Sequence, residues 1–343
     1  MNIAVCFGTR PEYLKVLPFI NELVKKNIDH KVYYIQQHVS IAETISDTIV
    51  RVNLPQLSSN RLNSIGSAIL SELENVFDTN HSHIVVQGDT STALFCALHG
   101  FHNKLKVVHI EAGLRTYDIT QPWPEEANRQ MISRITDFHF TPHVDCEFVL
   151  KNEKVSGYIY TVGNTILDLV KSYNLQPSLQ NKILITFHRR ENWDKLDIFI
   201  DELKKVLLIK PHLEFIWPMH PNPDLQRKIK NAFNSVDNIR LISPLPHREF
   251  TELIAQSQFI ITDSGGLQEE ASFLGKMCLV LRESTERYHI PYPYVQLIRD
   301  ISTLSTVITN FIPHNMLQCT VYGNGNASEK IIEYLLDKVA DAT

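Results

Sequence analysis

The chain has no apolar run approaching the roughly 18 residues needed to span a bilayer, so no transmembrane helix is expected. It also lacks an excess of basic charge. With 33 Lys and Arg against 38 Asp and Glu the net charge is -5 and the pI is near 6.3, which argues against nucleic acid and against an anionic membrane surface as partners. Cysteine is scarce. Cys6, Cys96, Cys146, Cys278 and Cys319 are scattered through apolar surroundings, odd in number and without ligand spacing. They read as buried free thiols of a reducing compartment, neither a disulfide framework nor a zinc site. The stretch MNIAVCFGTRPEYLK has too short an apolar part for a signal peptide. A cytoplasmic protein is the expectation.

Nucleotide-binding signatures of the common kinds are missing too. The first strand is not followed by GxGxxG, and no GxxxxGK[ST] occurs, which weakens dehydrogenase and P-loop readings. No Asp-x-Asp stands at a strand end where a metal-dependent sugar transferase would need it. His81-Ser82-His83 alternates across an extended chain, so it is a poor metal pair and is expected to be solvated. Neither a metal nor a cofactor is expected, and there is no long repeat, coiled coil or low-complexity segment.

What the chain does have is strand–helix alternation, twice over. At 343 residues it is long for one core and comfortable for two domains of about 150 residues. In the first half, the strand Asn2–Phe7 runs into Gly8-Thr9-Arg10-Pro11-Glu12 and an amphipathic helix, with Pro11 suited to its first turn. Arg10 and Lys15 then stand at the carboxyl end of a parallel strand, where open α/β sheets bind ligands. A second strand, Lys31–Ile35, leads to Gln36-Gln37-His38, and a polar region to about Asn80 reads as helix-rich. The strands Ile84–Gln87 and Lys106–Ile110 deliver acids at their ends, Asp89 and Glu111. One such acid could cap the helix that follows it; two on neighbouring strands favour a shared cleft. Trp123 beside Glu125 and Glu126 offers an apolar wall able to raise a carboxyl pKa.

The polar segment Ser172–Asn181 marks a linker, after which the alternation restarts with Lys182–Phe187 and His188-Arg189-Arg190. His220 follows a further strand, Glu214–Trp217. Next comes FIITDSGGLQEEASFLGK, a buried strand that breaks into Ser264-Gly265-Gly266 before a helix. Unpaired backbone N–H groups and the helix dipole make this an anion site suited to phosphate. Glu269 and Glu270 in the first turn could reach ribose hydroxyls, and Arg282 and Arg287 supply positive charge. The fold class predicted is α/β, two doubly wound Rossmann-like domains facing a cleft. The boundaries are 1–173 and 174–326, followed by a final helix of about 327–343. Carboxylates opposite a diphosphate site suit chemistry on the sugar of a nucleotide-sugar.

GTRPEYLK, VQGDTST, HIEAGLRT, PWPEEANR, GNTILD, FHRREN, MHPNP and TDSGGLQEE–TER, in this order, closely resemble the non-hydrolysing UDP-N-acetylglucosamine 2-epimerases. The resemblance spans nearly the whole chain. It implies the GT-B architecture, in which the final helix of about 327–343 packs back on the first domain, and a metal-free, nicotinamide-free homodimer. It also implies reversible inversion at C2 to UDP-N-acetylmannosamine, for surface polysaccharide precursors. In that family UDP is eliminated to leave a 2-acetamidoglucal and is then added back on the other face. The resemblance makes Asp89, Glu111 and Glu125 the catalytic carboxylates, with His188 at the leaving phosphate. It assigns Ser264, Gly265 and Gly266 to the diphosphate, Glu270 to the ribose, and Arg10, His220 and Arg287 to the phosphates. Lys15, His38 and Arg115 complete the substrate-binding set. The chain departs from the family pattern at Tyr288-His289 after TER, at Gln36, and before Tyr322-Gly323. The competing functions are 2-epimerisation of another UDP-N-acetylhexosamine such as a 6-deoxy sugar (UDP-RhaNAc or UDP-QuiNAc type), a GT-B glycosyltransferase, and a non-catalytic UDP-sugar-binding protein.

Overall fold

A computed structural model describes residues 1–36, 49–54, 61–313 and 316–340. His38 lies outside the described residues. The chain divides into two compact units, Met1–Leu169 with Tyr322–Thr343, and Val170–Val321. The helices are α1 (Arg10–Lys25), α2 (Arg61–Val76), α3 (Ser91–His102), α4 (Glu125–Ile135), α5 (Val144–Asn152), α6 (Thr165–Ser172), α7 (Leu196–Ile209), α8 (Pro223–Phe233), α9 (His247–Gln256), α10 (Gly266–Phe273), α11 (Leu304–Thr309) and α12 (Ala327–Ala340). None of the described helices is long and apolar enough to cross a membrane. All five cysteines are free and buried.

The first unit holds β1 (Asn2–Phe7), β2 (Asp29–Gln36), β3 (Val50–Asn53), β4 (His83–Gln87), β5 (Lys106–Ile110), β6 (Phe138–Thr141) and β7 (Tyr158–Thr161). They form one parallel sheet in the order β3-β2-β1-β4-β5-β6-β7. Alternation along β1 explains the two layers that cover it. Ile3, Val5 and Phe7 pack with Val16, Phe19 and Leu23 of α1 and with Ile331, Ile332 and Leu335 of α12. Ala4 and Cys6 face the other way, toward Ile65, Ile69 and Leu73 of α2 and Ala93, Cys96 and Ala97 of α3.

One sequence expectation proves incomplete in this unit, since α2 lies where helix was read, and another fails. The stretch read as helix-rich contains β3, which pairs with β2 from Tyr33↔Val50 to Gln36↔Asn53. Only Val52 of its four residues is buried, so this edge strand carries almost no apolar signal. His81 and His83 are also not solvated; they are 5% and 6% exposed. His81 meets the Tyr33 hydroxyl at 2.9 Å and Asn2 Oδ1 at 2.8 Å, and its ring packs edge-on against Tyr33 and Phe77. Burial lowers the pKa of both, His83 to about 4.

The second unit holds β8 (Lys182–Thr186), β9 (Glu214–Pro218), β10 (Ile239–Ile242), β11 (Phe259–Thr262), β12 (Cys278–Val280) and β13 (Val295–Leu297). They too are parallel, in the order β10-β9-β8-β11-β12-β13. Its core is aromatic at the centre, with Phe199 between Phe187 (stacked) and Trp217 (edge-on). Each sheet therefore reverses its strand order once, between β1 and β4 and between β8 and β11. The carboxyl ends of strands at such a reversal form a natural crevice for ligands.

Candidate active site

At the β1/β4 reversal the sequence GTRPE builds a capping box. Thr9 is the N-cap of α1, and Glu12 reaches back to it. Glu12 Oε2 accepts from the backbone N–H groups of Gly8 (3.0 Å) and Thr9 (2.7 Å), while Oε1 accepts from the Thr90 hydroxyl (2.6 Å). One buried carboxylate thus ties together the turns after β1 and β4. Burial raises its pKa, and these hydrogen bonds oppose that rise. Thr90, through Oγ1, caps α3 by accepting from Ala93 N–H at 3.1 Å. Asp89 is thereby not needed as a cap. Its carboxylate pairs instead with Arg129, Nε at 2.8 Å and Nη2 at 2.7 Å.

The backbone of this turn is fixed on both sides. Gly88 sits at φ +73°, where a side chain would be strained. His109 Nε2 donates to Gly88 O at 2.7 Å and Asn128 Nδ2 to Asp89 O at 2.8 Å. Burial pushes the His109 pKa down to about 3, so the ring is neutral with its proton on Nε2. Glu111 follows β5 with φ +66°, an uncommon conformation for a side-chain-bearing residue. Lys15 and Gln87 both donate to its Oε2, and its side chain is 6% exposed. Asp89 and Glu111 line one cavity together with Thr9, Glu12, Lys15, Gln87, Leu114 and Arg129. Two carboxylates, each held by a cation, can exchange protons with a bound molecule.

Other expected residues stand apart from this group. Arg10 is exposed at the start of α1, and Glu125, half-buried, begins α4; neither lines the cavity. Trp123 is 67% exposed and forms no apolar wall. The neighbouring Glu126 is fully buried, which alone would raise its pKa. Gln130, the Thr116 and Tyr117 N–H groups and Arg129 lower it overall. Arg115 is turned into the protein, its side chain 1% exposed, with a two-point pair to Glu153 and a bond to Ser133 Oγ. Reasoning from sequence missed Gln87, Arg129 and Glu12. All three lie within motifs, VQGDTST, PWPEEANR and GTRPEYLK, and only the pairing of β4 with β5 and with β1 and the placing of α4 give them their partners.

At the β8/β11 reversal a second buried carboxylate is the organiser. Asp263, 0% exposed, accepts from the backbone N–H of His188 (3.0 Å) and Arg189 (2.9 Å) and from Asn192 Nδ2 (3.3 Å), and its Oδ1 lies 3.1 Å from His188 Nδ1. It shapes the loop after β8 and leaves the His188 ring 44% exposed. Ser264 follows, its Oγ accepting from Leu267 N–H at 3.4 Å, and Gly265 caps α10. A Cβ at Gly265 would stand 3.7 Å from Arg189 Nη2, from Arg287 Nη1 and from Glu286 Oε2, so two guanidinium groups and one carboxylate gather at this helix start. Gly266 faces open space. Arg287 is held by Glu269 Oε1 at 2.7 Å. Glu286, beside Arg282 and Arg287, has its pKa pushed up by burial but brought down to about 2 by those cations. His220 packs edge-on to Trp193 and caps the next turn by accepting from Asn222 N–H. Glu270 pairs with His247 at 2.9 Å. N–H groups at a helix start with two arginines alongside form an anion cradle.

Comparison with known proteins fits both halves. Residues 22–336 match the family model described as UDP-N-acetylglucosamine 2-epimerase. The UDP-N-acetylglucosamine 2-epimerase of Campylobacter jejuni is 36% identical over 380 residues, spanning 98% of this chain and 97% of that one. Among solved structures, the Neisseria meningitidis UDP-GlcNAc 2-epimerase bound to UDP-GlcNAc superposes with a TM-score of 0.85 at 33% identity, covering 98% of this chain and 100% of the other. The Methanocaldococcus jannaschii UDP-GlcNAc 2-epimerase in complex with UDP-GlcNAc and UDP gives 0.78 at 28%, covering 98% and 99%. The motif order, the two reversals and these matches agree: the chain has the GT-B fold and belongs to the UDP-N-acetylglucosamine 2-epimerase family.

Proposed function

We propose that the protein interconverts UDP-N-acetylglucosamine and UDP-N-acetylmannosamine without hydrolysis. C2 of the sugar has no adjacent carbonyl, so its proton is too weakly acidic for simple removal and return. Elimination of UDP to a 2-acetamidoglucal and re-addition on the other face avoids that difficulty. This route needs a base near C2, an acid for the opposite face and a cationic cradle for departing UDP. In this reading Asp89 and Glu111 move the protons, with Glu125 as a third carboxylate, and Lys15 and Arg129 set the charge of the first two. Ser264, Gly265 and Gly266 hold the diphosphate with Arg189 and Arg287, and His188 assists its departure. Glu270 takes the ribose, and Arg10 and His220 add contacts to phosphate. Arg115 is left out because its guanidinium is committed to Glu153. A cytoplasmic homodimer belongs to the same reading, supported by the family resemblance and the buried free thiols.

The observation that carries the proposal is the convergence of Asp89 and Glu111 on one cavity, each with its own cation. The test is incubation with UDP-N-acetylglucosamine in deuterium oxide, without any acceptor, followed by NMR of C1 and C2. The expected result is UDP-N-acetylmannosamine carrying deuterium at C2. A product without deuterium, or no manno product, would overturn the proposal, and transfer only when an acceptor is added would instead mark a glycosyltransferase. Running a UDP-6-deoxy-N-acetylhexosamine alongside ranks the two sugars.

A further inference from the structure

Tyr173, His247 and Glu270 form a hydrogen-bonded chain within the second unit. The Tyr173 hydroxyl meets His247 Nδ1 at 2.9 Å, and His247 Nε2 meets Glu270 Oε2 at 2.9 Å. The side chains of His247 and Glu270 are 11% and 13% exposed. Arg248 lies over the Tyr173 ring, 5.5 Å from its centre. Burial, with the Glu270 charge adding to it, pushes the Tyr173 pKa up to about 12, so the phenol keeps its proton at neutral pH. A neutral imidazole that accepts at Nδ1 carries its proton on Nε2, and a protonated one carries a proton there as well. In both states Nε2–H points at the Glu270 carboxylate.

Two adjacent glutamates are the fourth and fifth residues of α10, and the structure distinguishes them. Glu269 is 3% exposed and bound to Arg287. Glu270 lies four residues after Gly266, on the order of 6 Å along the helix. That is the scale separating a nucleotide's α-phosphate from its vicinal hydroxyls. A glutamate has three side-chain torsions, and an untethered one would sample many carboxylate positions. The imidazole takes one of about four acceptor sites on the carboxylate and fixes its plane, leaving the others to face a diol.

We propose that His247, itself oriented by Tyr173, is a positioning residue that presents the Glu270 carboxylate to the ribose hydroxyls of the nucleotide. This rests on the reading of Glu270 as the ribose contact. Neither residue touches the reacting sugar, so the effect falls on recognition of the nucleoside.

The experiment compares binding of UDP and 2′,3′-dideoxy-UDP to the full chain by titration calorimetry, with thermal unfolding in parallel. Wild type should prefer UDP by about tenfold or more, the scale of hydrogen bonds to a charged group. His247→Leu should reduce that preference to within about twofold by weakening UDP alone. His247→Gln, whose amide N–H reaches close to the place of Nε2, should restore most of it, and Tyr173→Phe should fall between. A purely structural staple would lower the melting temperature of these variants and leave the preference intact, which would overturn the inference while the ribose reading stands. If wild type itself binds the two nucleotides equally, or binds no UDP, the ribose reading fails and takes the inference with it.

Discussion

At the reversal of the first sheet stand two carboxylates, Asp89 and Glu111, each paired with a cation. At the same topological place in the second sheet stand the guanidinium groups of Arg189 and Arg287 around Gly265. There the strand-end carboxylate, Asp263, is buried and committed to the backbone of the loop beside it. The strand orders match, so the topology fixes where a ligand goes and leaves its chemistry to a few turn residues. Each unit also sets one buried acid to hold its turns, Glu12 in the first and Asp263 in the second.

The largest effects should separate the two kinds of site. Glu111→Gln should lower kcat about 10²–10⁴-fold with little change in KM if, as proposed, Glu111 transfers a proton. Arg189→Ala should instead raise KM about tenfold, the weight of one charge-assisted hydrogen bond, and leave kcat nearly as it was. Steady-state kinetics on both variants would break the comparison if the pattern were exchanged. Next in size is Asp263→Ala, which leaves two N–H groups, an amide and an imidazole facing a void. It should destabilise the second unit by about 3 kcal/mol. The buried Trp217 reports that unit's unfolding by fluorescence in urea, and an unchanged midpoint would show that Asp263 is not the organiser.

A further effect is on acid stability. In the first unit burial lowers the pKa of His81 and His99, and holds His83, His109 and His139 at about 4, 3 and 4. The unfolded chain takes up a proton at each of these near pH 6.5 and the folded unit does not, so stability is full above about 6.5 and falls as the pH drops toward 4. Glu12, with its raised pKa, works the other way, as one group against five. In the second unit the depressed Glu286 contributes above about 4.5, and that contribution is lost only as the pH falls toward 2. Hydrogen exchange at about pH 7 and about pH 5, corrected for intrinsic rates, should therefore show β4, β5 and β6 losing protection before β8 and β11. Parallel loss in both sheets would contradict this.

Much of this was legible in the sequence because a doubly wound fold places functional groups immediately after strands. VQGDTST and TDSGGLQEE each announce a strand, a turn and a helix, HIEAGLRT a strand and a turn, and the structure seats Asp89, Glu111 and Ser264 at those turns. The pairings were not legible. His81 finds the Tyr33 hydroxyl 48 residues away, and Asp263 meets His188 only because β11 lies beside β8. β3 escaped notice because an edge strand with one buried residue looks like any polar segment. Trp123 misled through proximity, since adjacency to two glutamates in sequence does not turn an indole toward them, and its ring is exposed.

The left-handed backbone at Glu111 places this residue under two opposed selections. For folding alone, glycine or asparagine would suit φ +66° better, relieving strain of about 1 kcal/mol. A library of this chain sorted only for solubility and heat resistance should therefore drift toward glycine or asparagine at position 111, while one sorted for turnover should keep glutamate. A gain in durability bought there would be recorded as a loss of the enzyme.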